Sequence, residues 1–201
     1  MKGLLFKPDM IQAIRDKRKT VTRRVIKPQP ERGVICKCPG CANGHAIFSN
    51  FEMYHEMRTK TGWIPIGKAI IPRYQAGEMV YIKEAWCLPD PYDKTCICYK
   101  ASNDPVTTGE KWVSPLFMPE WAARDFITFT DVSAERLQEL TPLEAVNEGF
   151  PVYLEYDKNW EVIKKIIPVD RFRIKWDSIN KDYQWESNPW VFRYEFEKVN
   201  G

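Results

Sequence analysis

The chain is poor in the residues that several function classes need. It has only two histidines, His45 and His55, so a ribonuclease built on a pair of imidazoles has little to draw on. No apolar run approaches the ~18 residues that span a bilayer. The opening Met1-Lys2-Gly3-Leu4-Leu5-Phe6-Lys7 is too short for a secretory signal. A membrane-spanning or secreted protein is therefore excluded and a cytoplasmic one expected. No internal repeat or low-complexity tract appears, and the net charge is only +3, which alone implies no polyanionic partner. With 201 residues, 44% hydrophobic and 28% charged, the composition is that of one folded domain.

Two features stand out against that background. Aromatic residues reach 13%, with eight Trp among them; these serve a core, or offer flat faces for stacking bases. Charge is also uneven. Residues 1–30 hold nine Lys or Arg against Asp9 and Asp16, a net +7, leaving −4 for the remainder. Such a segment reads as a localised anion or phosphate site, or as a solvated, charge-rich turn.

Periodicity gives a coarse layout. Pro8 suits a first helical position, and Met10, Ile11 and Ile14 recur at helical spacing, predicting a helix from about Pro8 to Lys17. Thr20-Val21-Thr22 is β-branched and leads to Pro28 and Pro30, an extended segment or loop. Residues 31–74 have no sustained period and read as an insertion within the domain. Strands are expected at 79–83, near 97–99, at 126–132 and at 190–197, the last with clean alternation. Thr141-Pro142-Leu143-Glu144 is a capping box with Gly149 as its stop, predicting a helix over 142–148. Phe172, Trp176 and Ile179 mark a helix over about 169–180. The fold class expected is α+β, a small closed β-barrel decorated by short helices.

Several segments, taken in order, resemble a known family. They are Lys19-Thr20-Val21-Thr22-Arg23-Arg24 after a short amphipathic helix, Gly77 to Trp86, Met118 to Arg124, Leu140 to Phe150, and Trp176-Asp177-Ser178-Ile179-Asn180 with Asn188-Pro189-Trp190. Their order and spacing resemble the ASCH family, in the larger form typical of phages and prophages. The resemblance implies a PUA-like barrel whose cleft handles RNA, a nucleoside or a modified base. Some compact members are amidohydrolases that deacylate N4-acetylcytidine; others are described as RNA binders or ribonucleases. Matched residue by residue, the family's functional Lys and Thr fall on Lys19 and Thr22, its Arg on Arg24, and its helical acidic residue on Glu148. Small members carry Gly two residues before that Lys. Here the position is Lys17, which forfeits glycine's easy left-handed helix stop.

Amide hydrolysis on cytosine needs a nucleophile, a proton shuttle and a partner for the oxyanion. Thr22 supplies a hydroxyl. Lys19 lies among Arg18, Arg23 and Arg24, whose charge lowers its pKa and frees a neutral amine to take the Thr22 proton. In a regular strand Lys19 and Thr22 face opposite ways, so they converge only if the backbone bends. Glu148 either orients the lysine or protonates the leaving amine, and Arg24 takes a phosphate or the forming oxyanion. The reading the sequence favours is binding without chemistry, with the amidohydrolase as its alternative: Arg18, Arg23 and Arg24 grip phosphates from a basic segment spanning residues 15–27, in a reader of RNA or modified nucleic acid. Phosphodiester cleavage is a lesser alternative.

Trp86 and Trp121 are placed to stack a base, and Glu84 to accept from an exocyclic amine or to form a surface ion pair. Trp176 and Trp190 belong to the core. Cys36-Lys37-Cys38-Pro39-Gly40-Cys41, followed by His45, can furnish three thiolates and an imidazole to a structural zinc ion, with Cys96 and Cys98 as alternative ligands. A catalytic zinc is disfavoured because the deaminase H-x-E…P-C-x-x-C pattern is missing, and no organic cofactor is expected.

Overall fold

A computed structural model of the chain describes residues 1–30, 34–36, 46–48, 69–90, 92–102 and 111–199. Within them run the strands β1 (Gly3–Leu5), β2 (Val21–Val25), β3 (Val34–Cys36), β4 (Ala46–Phe48), β5 (Ala69–Ile70), β6 (Met79–Lys83), β7 (Trp86–Cys87), β8 (Cys98–Tyr99), β9 (Phe126–Arg136), β10 (Tyr153–Tyr156), β11 (Val162–Ile166) and β12 (Trp190–Lys198). The helices are α1 (Pro8–Arg15), α2 (Pro142–Asn147) and α3 (Pro168–Ile179).

The main sheet has the order β1-β6-β9-β12-β2. β1 lies parallel to β6, and the other neighbours are antiparallel. The alternation of β12 sends Phe192, Tyr194 and Phe196 into one core with Phe129, Ile127 and Val80 of the sheet and Ile11 and Ile14 of α1. Each such side chain contributes about 1.5–3 kcal/mol on burial. Val191 points to a second core, formed with Leu137, Leu140, Ala145, Phe150, Phe172 and Trp176, which seats α2 and α3. A third cluster gathers Trp86, Tyr99, Met118 and Ala122.

The mixed α/β character, with one multi-stranded sheet and few helices, matches the fold class expected. Among the described residues β1 and β2 remain the two ends of the sheet order, and no pairing between them closes a barrel. Strand β9 continues to Arg136, four residues past the expected end at Val132, because β12 pairs with it as far as Arg136. The hairpin β10–β11 has no counterpart in the sequence reading; its β10 side chains are exposed on both faces and leave no alternation to detect. Strands β3, β4 and β5 pair with one another inside the expected insertion. At its far end Ile70 packs against the main core and Tyr74 belongs to it. Among the described residues no helix is long and apolar enough to cross a membrane.

The two helix stops that frame the site are built alike. α2 begins on the expected capping box: the Thr141 hydroxyl accepts from the Glu144 N–H, and the Glu144 carboxylate accepts from the Thr141 N–H. It ends with Gly149 at φ +96°, where the Gly149 N–H donates to Val146 O (2.8 Å) and the Phe150 N–H to Ala145 O (3.0 Å). These two bonds are the Schellman motif. α1 ends the same way on a lysine. Lys17 has φ 59°, its N–H donates to Ile14 O (3.0 Å), and the Arg18 N–H donates to Ala13 O (2.8 Å). The left-handed stop is thus retained without glycine, at a cost of about 1–2 kcal/mol.

Candidate functional site at the edge of the main sheet

Strand β2 is the last strand of the sheet, and beside it opens a cavity of about 420 Å³. Lys19, Thr22, Arg23, Arg24 and Glu148 line it together with an apolar wall that includes Phe6, Met10, Phe150, Phe172 and Trp176. The wall comes from the segment before α1, from α1 itself, from the residue after the α2 stop, and from α3.

Lys19 and Thr22 both line the cavity, Lys19 from the link between α1 and β2 and Thr22 from β2 itself. After the α1 stop the Lys19 N–H donates to Ala13 O (3.0 Å) and the Thr20 N–H to Asn147 O (2.8 Å). Lys19 forms an isolated antiparallel bridge with Glu148. Its side chain then turns along β2, and Nζ donates to Val21 O (2.7 Å), Glu148 O (2.9 Å) and Glu148 Oε2 (2.6 Å). Both residues are buried, each with 3% of its surface exposed. Burial is the main force drawing the Lys19 ammonium below its usual pKa; Glu148 opposes it, and the Arg24 and Arg23 charges add to it in smaller measure. The sequence reading credited the neighbouring arginines, whereas desolvation leads.

Glu148 is held from its other side by Arg23, whose Nη1 lies 3.3 Å from Oε1. The Arg23 side chain is fully buried and also meets Glu135 (2.5 Å) and Glu144 (3.3 Å). Burial raises the pKa of Glu135. Arg193 carries the network outward through Glu144, Asp131 and Glu195. Thr22 is buried on the cavity wall. Arg24 donates from Nη2 to Leu5 O (2.7 Å) and stands 5.3 Å from the centre of the Phe6 ring.

The structure therefore brings Lys19, Thr22, Glu148, Arg23 and Arg24 to one cavity. Other expected site residues lie elsewhere. Arg18 is exposed and forks onto Asp16 at 2.7 and 3.2 Å. Glu84 is buried, gripped by Arg15 (2.9 Å) and by Arg124 (2.8 and 3.0 Å), so it is neither a surface ion pair nor open to a base. Arg15 also binds Asp125 at 2.6 Å. Trp86 is buried in the third cluster, edge-on to Trp121 at 5.6 Å. Trp121 is 48% exposed and has Lys94 5.1 Å from its ring centre. Neither tryptophan lines the cavity.

Cys38, Cys41 and His45 lie outside the described residues, and Cys36 is described in its backbone alone. Among the described residues no group of His, Cys, Asp or Glu is suited to hold a metal ion. Cys87 and Cys98 face each other in the β7–β8 register. Sequence reasoning did not assign Phe6, Met10, Phe150 and Phe172 to the site and gave Trp176 to the core alone. Trp176 does both: it stacks on Phe172 at 5.6 Å, donates from Nε1 to Tyr183 O (2.7 Å), and lines the cavity. The i, i+4 aromatic pair on α3 was the available signal.

Comparison of the chain with protein-family models, with curated proteins and with solved structures found no match.

Proposed function

We propose that the cavity binds a modified nucleobase and that the protein hydrolyses the exocyclic amide of an N4-acylated cytosine, as the resemblance to PUA-like ASCH amidohydrolases implies. One observation carries the reading: a buried Lys–Glu pair and a buried threonine share the wall of a cavity whose volume suits a small ligand. Apolar rings flank the flat base. The neutral Lys19 amine removes the Thr22 proton as the hydroxyl oxygen attacks the acyl carbon. The C–N bond then breaks, the amine of cytosine takes a proton back from Lys19, and water releases the acyl group from Thr22 as a carboxylic acid. Glu148 holds the lysine through all of this, and Arg23 holds Glu148.

Binding without turnover is the second reading, and it has its own support. The Lys19 ammonium already has three acceptors, the arrangement of a structural ion pair. The grip on a polyanion is less well supported, since Arg15, Arg18 and Arg23 are each committed to carboxylates of the chain itself.

Mass-spectrometric turnover of a panel of acylated cytidines, with wild type beside Lys19→Met and Thr22→Val, tests the proposal. Release of cytidine by wild type and its loss in both variants is expected. Binding of the panel with no release moves the protein to the reader class, and absence of both binding and release overturns the base-binding reading itself.

A further inference from the structure

We infer that the ligand of this cavity carries a phosphate ester and that Arg24 is its anchor. The inference rests on the base-binding reading above and narrows it, because a neutral nucleoside would leave the anchor unused.

The positive groups around the cavity are not equivalent. Lys19 is matched by Glu148 at 2.6 Å, Arg23 by Glu135, Glu144 and Glu148, and Lys175 by Asp9 at 2.6 Å. Arg24 alone of these buried or half-buried cations has no carboxylate within ion-pair distance among the described residues. Its one hydrogen bond there runs from Nη2 to the Leu5 carbonyl, and its Nε is buried without an acceptor. A guanidinium does not escape the problem by deprotonating. Half-buried with no counter-ion it is disfavoured, and the buried Nε donor left unmade adds to the cost. Burial draws its pKa below the usual value for arginine, and the field of Glu148 is the largest opposing influence.

Nε has no acceptor, and Nη1 together with the second N–H of Nη2 forms the end-on planar fork that pairs with two oxygens of a phosphate. Lys7 also lines the cavity, with no ion pair among the described residues. The lining also includes aromatic and aliphatic side chains, with Phe172 and Trp176 suited to an uncharged ring. A ligand that satisfies both parts has a flat neutral body and one anionic group. A phosphorylated nucleoside meets that description, whether the phosphate is a terminal monoester or a diester within a strand.

Quenching of tryptophan fluorescence on titration provides the test, with four ligands: N4-acetylcytidine, its 5′-monophosphate, a trinucleotide with this base in the middle and no terminal phosphate, and inorganic phosphate. Wild type is compared with Arg24→Met and Arg24→Lys. Wild type should bind at least one phosphate ester tenfold or more tightly than the nucleoside. Arg24→Met should erase that preference, and Arg24→Lys should retain part of it. Preference for the monophosphate identifies a nucleotide, and preference for the trinucleotide identifies a strand. Equal affinities for nucleoside and esters, or a preference that survives in Arg24→Met, overturn the inference. If no base-containing ligand binds while inorganic phosphate binds in an Arg24-dependent way, the base reading fails and the anion site stands. Were Arg24 instead the partner of the forming oxyanion, Arg24→Met would lower kcat and leave affinity for nucleoside and esters unchanged. The melting temperature of ligand-free Arg24→Met gives a readout independent of ligand: it should hold or rise, and a fall of several degrees would show that the charge was compensated after all.

Discussion

Lys19 and Glu148, 129 residues apart in the chain, are joined through main chain and side chain at once. Their backbones form a bridge, and the lysine ammonium caps both the carbonyl and the carboxylate of the glutamate. Glu148 is the residue just before the α2 stop at Gly149, and Lys19 comes two residues after the α1 stop at Lys17, so two local turn motifs fix a long-range pair.

Breaking this pair should be costly and asymmetric. Glu148→Leu leaves the buried Lys19 without a carboxylate and should lose about 3–5 kcal/mol of stability. Lys19→Met should lose less, because Arg23 still faces Glu148. The double variant Lys19→Met/Glu148→Leu should recover much of the loss, giving a large coupling energy in a urea-denaturation cycle. Simple addition of the two single losses would show that the pair is not coupled.

The lowered pKa of Lys19 fixes the sign of two pH effects. If the neutral amine is the base, kcat/KM rises with pH and levels off at an inflection below the ordinary lysine value of 10.5. Folding follows the same direction. The unfolded lysine holds its proton up to 10.5, whereas the folded one gives it up earlier. Between those two values the unfolded state binds more protons, so stability rises with pH through the folded pKa. The difference in unfolding free energy between wild type and Lys19→Met, followed across that window, should show this slope, and a flat difference would contradict it.

Thr22 should separate chemistry from structure. Thr22→Val keeps the shape and the β-branch on strand β2 and removes only the hydroxyl. Turnover of an acylated cytidine should fall by at least a hundredfold, while ligand affinity changes little. Thr22→Ser should keep measurable activity. Equal rates for wild type and Thr22→Val would shift the attack to a water molecule.

At the α1 stop, Lys17→Gly should be stabilising. A left-handed φ of 59° suits glycine, and the gain should be about 1 kcal/mol, a rise in melting temperature of roughly 2–4 °C for a domain of this size. No change, or a decrease, would show that the lysine side chain contributes contacts that outweigh the backbone strain.

These outcomes also bear on what could be read beforehand. The capping box of α2 and its Gly149 stop were legible because capping is local chemistry, written within the short stretch from Thr141 to Gly149. Strands β6 and β12 were legible through composition and alternation. The cavity was not, since Phe6, Phe150 and Phe172 meet only through the docking of separate elements, and each reads singly as an ordinary core residue. Glu84 shows the opposite failure. Its position after a strand suggested an accessible acceptor, yet two arginines from elsewhere, Arg15 and Arg124, enclose it. The basic segment was conspicuous in the sequence for a related reason: its positive charges are adjacent, while the carboxylates that offset them come from distant segments such as Asp125, Glu135 and Glu148.

The pairing of β2 with β12 also sets a timetable for synthesis. The strand that carries Thr22 and Arg24 is made well before its neighbour in the sheet, β12, from which most of the described chain separates it. At ordinary elongation rates of about 5–20 residues per second, β2 waits roughly ten to thirty seconds for that partner. Until then its hydrogen-bonding edge is open on both sides, the condition under which strands find wrong partners. A circular permutant that places β12 directly before β2 would remove the delay, and its yield of folded protein without chaperones would measure how much the wait matters.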